Sequence, residues 1–325
     1  MNHRLAVLMV AGAAAATVAM GAEGVAITDL DGKLSVKIDG ELFTEYHYKD
    51  VARPFFYPII GPGGVGMTRD WPMVETDNDV KDHPHHKGLW YAHGKVNGVD
   101  CWSELKAFGK TVHDKFLEIK SGAQGVIRSR NNWVTADGKV LCSDERTIRI
   151  QPCGDTRILD FDITFIASQG DVTFGDTKEG SMSIRLPTSM SVTAKGKDKV
   201  AQGHIINSEG ARDKDAWGKR ADWVDYYGPV NGKPVGVAIF DHPENPRHPT
   251  YWHVRDYGLF SVNPYGIHDF TVKTPNEQPP GAGDLKIEAG KKVTFRYRFL
   301  FHTGDEKSGK VAELYKKYAA SKAAN

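Results

Sequence analysis

Apolar and polar residues alternate with a period of two along most of the chain, the pattern of half-buried antiparallel strands. Residues 33–38 and 42–48 alternate on either side of Asp39-Gly40, a dipeptide suited to a two-residue hairpin turn. The clearest block spans 115–167. Strands are predicted there at 116–120, 125–135, 139–151 and 157–167, with Asp137-Gly138 and Gly154-Asp155 turning two of the connections. Further strands are predicted at 181–185, 223–227, 234–240, 259–263 and 292–302, with Asn231-Gly232 joining the second and third of these. Only residues 306–321 show helical spacing, with Val311, Leu314, Tyr315 and Tyr318 on one face and lysines between them.

No repeat of fixed period and no low-complexity linker divides the chain. A dozen or more antiparallel strands in one unit predict an all-β fold over residues 23–325. The expected form is a large antiparallel β-sandwich with a short C-terminal helix, of a size that suits the supersandwich of galactose mutarotase-like proteins. Residues 1–22 stand apart. A basic start, Met1-Asn2-His3-Arg4, precedes an apolar run at 5–20 and the small residues of Ala19-Met20-Gly21-Ala22. This is the form of a signal peptide cleaved near residue 21 or 22, and it predicts a periplasmic or secreted protein. The run is short and rich in Ala and Gly for an anchor, and no later segment is apolar enough to span a bilayer.

Composition narrows the partners. The net charge is +1, which gives no electrostatic case for nucleic acid or a membrane surface. The three cysteines are too few for a disulfide scaffold; Cys142 and Cys153 are the two open to pairing. A small-molecule or oligosaccharide ligand is the partner class that remains.

Candidate chemistry gathers at Asp82-His83-Pro84-His85-His86-Lys87-Gly88-Leu89-Trp90, with His93 close behind. Four of the 13 histidines fall within eleven residues. Imidazole is the side chain best suited to bind a metal or move a proton near neutral pH. On an extended backbone His83 and His85 share a face and His86 points the other way. One reading is a divalent-metal site of His83, His85 and His93 with a carboxylate such as Asp82. Another is a metal-free site in which a histidine acts as general acid or base. The competing explanation is a buried polar network that pins a loop.

Other segments add candidates. The glycine-rich 61–68 lacks the Lys-Ser/Thr of a nucleotide loop and is better suited to delivering Arg69 to a ligand. Glu179, just before a predicted strand, offers the carboxylate that acid–base work on a sugar needs. Residues 241–253 hold His242, His248 and His253 among prolines, with Tyr251 and Trp252 as flat faces for stacking on a sugar ring. This second histidine segment is the expected partner of the first across a cleft. His268 adds a His-Asp pair with Asp269, and Trp217, Trp223, Asp225 and Tyr226 are placed along the same cleft. The competing explanations are core packing for Trp252, a loop hydrogen bond for His248 and a solvated turn for Glu179.

Several of these segments together resemble one bacterial family. They are Tyr57-Pro58 with Gly61-Pro62-Gly63-Gly64, then Thr68-Arg69, then Asp82-His83-Pro84-His85-His86-Lys87-Gly88-Leu89-Trp90. Asn97-Gly98-Val99-Asp100-Cys101-Trp102, Lys178-Glu179-Gly180 and the run from Asp241-His242-Pro243 through His248-Pro249-Thr250-Tyr251-Trp252-His253 to Tyr257-Gly258-Leu259-Phe260 fit it too. The family carries the label "methane oxygenase PmoA" and is also described as a domain of unknown function. The resemblance covers nearly the whole mature chain and implies a soluble protein in a carbohydrate setting. Cys101 departs from the family pattern, where an aromatic is more usual, which touches packing.

Three functions follow as expectations. The first is an exported carbohydrate-active enzyme with His85, His86 and Glu179 moving protons. In it Arg69, Trp90, Asp225, Trp252, His253 and His268 bind the ligand. The second is a metal-dependent oxygenase or hydrolase on His83, His85 and His93. The third is a non-catalytic sugar-binding module, which would need fewer titratable groups than these loops contain.

Overall fold

The computed structural model describes residues 24–193 and 201–321; the predicted signal peptide lies outside the described residues. Two antiparallel sheets face each other. In spatial order the nine-stranded sheet runs Val25–Asp29, Lys33–Ile38, Glu41–His47, Phe55–Ile59, Leu89–His93, Gly180–Arg185, Leu259–Asn263, Thr250–Val254 and Arg220–Ala221. The eight-stranded sheet runs His204–Asn207, Trp223–Val230, Lys233–Asp241, Lys292–Thr303, Thr156–Ile166, Val140–Cys153, Gly125–Val134 and Lys110–Lys120. This is the large antiparallel β-sandwich that the alternation predicts.

The local reasons are visible in the turns. Asp39 and Gly40 lie at φ 51° and 84°, and Asn231 and Gly232 at 51° and 75°. Positive φ at both central residues is what a type I′ hairpin turn requires. Alternation then sorts each strand. Phe295, Tyr297, Phe299 and Phe301 point between the sheets and share one apolar core with Tyr91, Phe161, Ile163, Met182 and Ile184.

The outer face of the eight-stranded sheet is covered by the helix Val311–Ala319. Val311, Tyr315 and Tyr318 pack there on Trp223, Phe240 and Leu300. The outer face of the nine-stranded sheet is covered instead by loops, chiefly 69–88 and 100–108. Beneath them the sheet's centre is polar yet buried. Ser183, Ser261, Asn263 and His253 are each less than 5% exposed. Ser183 and Ser261 share a hydroxyl hydrogen bond of 2.7 Å, and the Ser261 hydroxyl donates to the Gly180 carbonyl (2.7 Å).

Two sequence expectations fail here. Cys142 and Cys153 are both free and sit at opposite parts of one strand. That length of extended chain puts them roughly 36 Å apart, far beyond disulfide reach. Asp225 and Trp223 lie in the eight-stranded sheet, not along the cleft expected for them. Asp225 is fully buried and accepts from His302 Nε2 (2.9 Å), while Tyr226 is part of the core.

Candidate functional site

The histidine segment is a turn, not a strand. His83 adopts φ 44° and its carbonyl accepts from the His86 N–H (3.0 Å). The turn returns His86 to the same side as His83, so the face assignment from extended geometry is corrected. Gly88 closes the turn at φ 55°, where a Cβ would lie 1.9 Å from the Phe56 carbonyl oxygen; only glycine fits.

Rings follow one another in series. Trp90 stacks on His86 (centroids 5.4 Å), His86 on His83 (4.8 Å) and His83 on Tyr257 (5.5 Å). His85 stands edge-on to both His86 (4.4 Å) and His83 (5.8 Å). Trp102 closes the side behind His85 and His86.

Three buried arginines hold this arrangement. Arg69 donates to Asp82 (2.6 Å) and to the carbonyls of Val80 (3.1 Å) and His83 (3.0 Å). Arg185 donates to Asp82 (2.7 Å) and to His86 Nδ1 (3.2 Å), and its guanidinium lies over the Tyr257 ring (4.8 Å). Arg53 grips the Trp102 carbonyl (2.7 Å) and Glu104 (2.8 Å), and Glu104 also takes Lys87 (2.6 Å). Arg69 is 0% exposed, so it shapes the loop; the expectation that it binds ligand is corrected by its burial.

The electrostatics follow from this placement. Burial, with Arg53 and His83 adding to it, pushes the His85 imidazole down to about 4. Burial and the Arg185 charge take His86 well below its ordinary value. Burial works against the charge on Asp82, yet the His83 hydrogen bond and the Arg185 and Arg69 charges hold it below the usual carboxylate range. Because arginine only donates, His86 Nδ1 accepts and its proton sits on Nε2. His86 is 1% exposed, which makes it the floor under His85, and this corrects its predicted proton-transfer role. The His85 ring nitrogens have no hydrogen-bond partner among the described residues, and the side chain is half-buried.

Tyr257 joins this cluster to a second one. Burial raises its phenol, Arg185 and Arg255 oppose the rise, and both Asp82 and Glu179 add to it. Glu179 is 41% exposed, with Lys178 Nζ at 3.5 Å. His253 Nδ1–H donates to the Lys178 carbonyl (2.6 Å), and burial drives this imidazole down to about 3. Arg255 lies over both Tyr257 (5.5 Å) and Trp217 (5.7 Å) and has no carboxylate partner among the described residues. Histidines 83, 85 and 253, Glu179, Tyr257 and Arg255 thus share the outer side of the nine-stranded sheet.

Other predicted residues fall elsewhere. Trp90 is 1% exposed and supports His86 without a free face. Trp252 is fully buried in the core and donates Nε1–H to the Ala221 carbonyl (2.9 Å), so it is no stacking platform. His93 points to the core side of its strand, against Tyr265 (4.6 Å) and Phe174 (5.7 Å), with Nε2–H on the Gly175 carbonyl (2.8 Å). It does not join His83 and His85. Among the described residues no set of three His, Cys, Asp or Glu side chains is placed to hold a metal. His242 and His248 lie away from the site, and only the end of their segment, from His253 onward, reaches it. His268 sits on the short helix Ile267–Thr271 and holds the Gln278 carbonyl (2.6 Å). Arg53, Trp102, Arg185, Arg255 and Tyr257 were not singled out from sequence, although Trp102 and Tyr257 lie in the segments that carry the family resemblance.

The model of a family of unknown function, DUF6807, matches residues 33–316. The chain belongs to this family. No curated protein matches this DUF6807 chain. Several solved structures do. A galactose mutarotase-like protein from Lactobacillus casei is 9% identical over 86% of this chain and 100% of its own, with a TM-score of 0.35. A galactose mutarotase related enzyme from Lactobacillus acidophilus is 11% identical over 86% and 98%, with a TM-score of 0.28. A polysaccharide lyase is 11% identical over 88% of this chain, with a TM-score of 0.33. The DUF6807 chain spans 33% of that lyase's length. Backbones this far apart lend the DUF6807 chain no substrate and no residue role. No helix of the described residues is long and apolar enough to cross a membrane.

Proposed function

We propose that this DUF6807 protein is an exported, carbohydrate-active enzyme whose ligand lies over the outer side of the nine-stranded sheet. His85 is the proton acceptor, and Glu179 supplies the carboxylate. The observation that carries this reading is the state of His85. It is half-buried, unbonded at both ring nitrogens among the described residues, and kept neutral by burial and Arg53. An imidazole held this way is available to take a proton from a ligand. Trp217, half-buried, offers an apolar surface of the kind that the C–H face of a pyranose matches. The segment at residues 1–22 supports export to the periplasm or beyond.

Oxygenase chemistry, the other part of the label on the resembling family, calls for a redox-active metal. His93 is turned to the core, away from His83 and His85, and among the described residues no three His, Cys, Asp or Glu side chains are placed to hold a metal. The residues do not fit that group, and the proposed chemistry moves protons between side chain and ligand.

The test is turnover of a panel of oligosaccharides and polysaccharides by the mature chain, followed by product mass. His85→Ala and Glu179→Gln are each expected to lower kcat roughly 10²- to 10⁴-fold. The wild-type rate is expected to fall as pH drops through about 4, where His85 takes up a proton. Full turnover by His85→Ala removes its assignment. Glycan binding with no product in any arm makes the protein a binding module instead.

A further inference from the structure

The same outer face carries a second hollow, at the sheet edge formed by Thr250–Val254 and Arg220–Ala221. It is a cavity of about 370 Å³, and its lining includes Arg220, Arg247, Thr250, Tyr251, Asn276 and Gln278. The histidine site uses none of these residues.

The charge of the lining points to a ligand. Arg220 donates Nε–H to the Pro249 carbonyl (2.6 Å) and Nη2–H to the Arg247 carbonyl (3.3 Å), and makes no ion pair among the described residues. Arg247 is bound by carbonyls only, those of Pro264 (3.0 Å), Gly283 (2.5 Å) and Asp284 (2.8 Å). Asp176 and Asp284 act on it from beyond ion-pair range. Two guanidinium groups therefore line one cavity without a carboxylate on either.

The walls are firm. The Tyr251 ring stacks on Phe270 (5.6 Å) and lies under the Arg220 guanidinium (5.8 Å). His268 holds the Gln278 backbone in place at the rim. Asn276 and Gln278 add exposed amides of the kind that bind ring hydroxyls.

We propose that this cavity binds a carboxylate-bearing pyranose, a hexuronate residue, with the carboxylate on Arg220 and ring hydroxyls on the Asn276 and Gln278 amides. The guanidinium fork suits carboxylate and phosphate alike, so the shared chemistry is an oxyanion. The volume holds one sugar ring. The choice of a sugar rests on the carbohydrate reading above; the choice of an anion does not.

Calorimetric titration of the mature chain with D-glucuronate, D-glucose and inorganic phosphate tests it. Glucuronate is expected to bind at least tenfold more tightly than either of the others. Arg220→Gln is expected to weaken glucuronate at least tenfold, with an unchanged far-UV spectrum. Glucuronate binding that survives Arg220→Gln overturns the site. Glucose binding as tightly as glucuronate overturns the anion, and phosphate doing so overturns the carboxylate. His85→Ala is expected to leave glucuronate affinity unchanged; loss of binding in that variant would put the uronate in the histidine site and overturn the second cavity. Failure here and failure of the catalytic reading are thereby distinct.

Discussion

Two histidine-rich, proline-punctuated segments, 82–93 and 241–253, look alike in sequence and fold to opposite ends. In the second, His248 lies between two carboxylates, Asp241 at 2.8 Å and Asp222 at 3.3 Å. His242 donates Nε2–H to the Ser321 carbonyl (3.0 Å) and receives the Glu244 N–H on Nδ1 (3.1 Å). Every one of these contacts fastens a loop. In the first segment His85 and His86 face arginines, and the one carboxylate there, Asp82, is shared by Arg69 and Arg185. Two carboxylates hold His248 as a charged strut, whereas burial and arginines keep His85 and His86, and in the second segment His242 beside Arg296, below their ordinary value. Counting histidines does not separate the two cases; their partners do.

The comparison predicts opposite phenotypes. Asp241 is 1% exposed, and His248→Ala leaves its carboxylate with only neutral donors, the Asn245 amide and the Thr250 N–H. A buried charge stripped of its charged partner is expensive, and the expected loss is about 3 kcal/mol in urea unfolding with turnover intact. His85→Ala is expected to change stability by about 1 kcal/mol or less, since its ring is half-buried and unbonded. If His248→Ala instead removed activity at unchanged stability, the division between strut and site would collapse.

Titration sharpens the same contrast. Burial pulls His248 down, but the Asp241 hydrogen bond and the Asp241 and Asp222 charges win and raise it above its ordinary 6.5. Its stabilisation is present below 6.5 and lost as pH rises through the raised value. His85 and His93 at about 4 and His253 at about 3 behave the other way. Their contribution is complete above 6.5 and is lost as pH falls toward those values. For His93, fully buried, the span from 6.5 to about 4 corresponds to about 3 kcal/mol. Imidazole chemical shifts followed by NMR from about pH 3 to 8 are expected to show His85 still neutral at about pH 5 and His248 already charged at 6.5. A His85 midpoint near its ordinary 6.5 would show that its ring is solvated and remove the basis of the site.

How far the sequence carries depends on the range of the physics involved. Period-two alternation and the Asp-Gly and Asn-Gly turns are local, so the hairpins and most of the meander from 110 to 166 were legible, its first strand only from residue 116 onward. Burial on both faces does not by itself hide a strand: Gly180–Arg185 and Leu259–Asn263 are buried at every position and were found, because serines there alternate with apolar residues. Leu89–His93 and Thr250–Val254 carry no such alternation and escaped notice as strands. The density of histidines marked the site, but the positive φ at His83 that sets their directions leaves no trace in a pattern of apolar positions. Arg53, Arg185 and Arg255 gain their meaning from contacts between segments up to 103 residues apart, which a single sequence does not display.

The last expected effect concerns Trp252, whose misplacement from sequence has the same root. It sits one residue before His253 on a strand whose faces look alike in composition, yet alternation sends Trp252 into the core and His253 to the outer side. Its ring packs on Phe260 (6.0 Å), and its Nε1–H reaches the Ala221 carbonyl. Phenylalanine keeps most of that packing, loses the hydrogen bond and leaves a small void. Trp252→Phe is therefore expected to cost about 1–2 kcal/mol in urea unfolding, with ligand affinity and kcat unchanged. A variant that lost sugar binding while keeping its stability would put the indole on the ligand side, and with it would fall the assignment of His253 to the outer face.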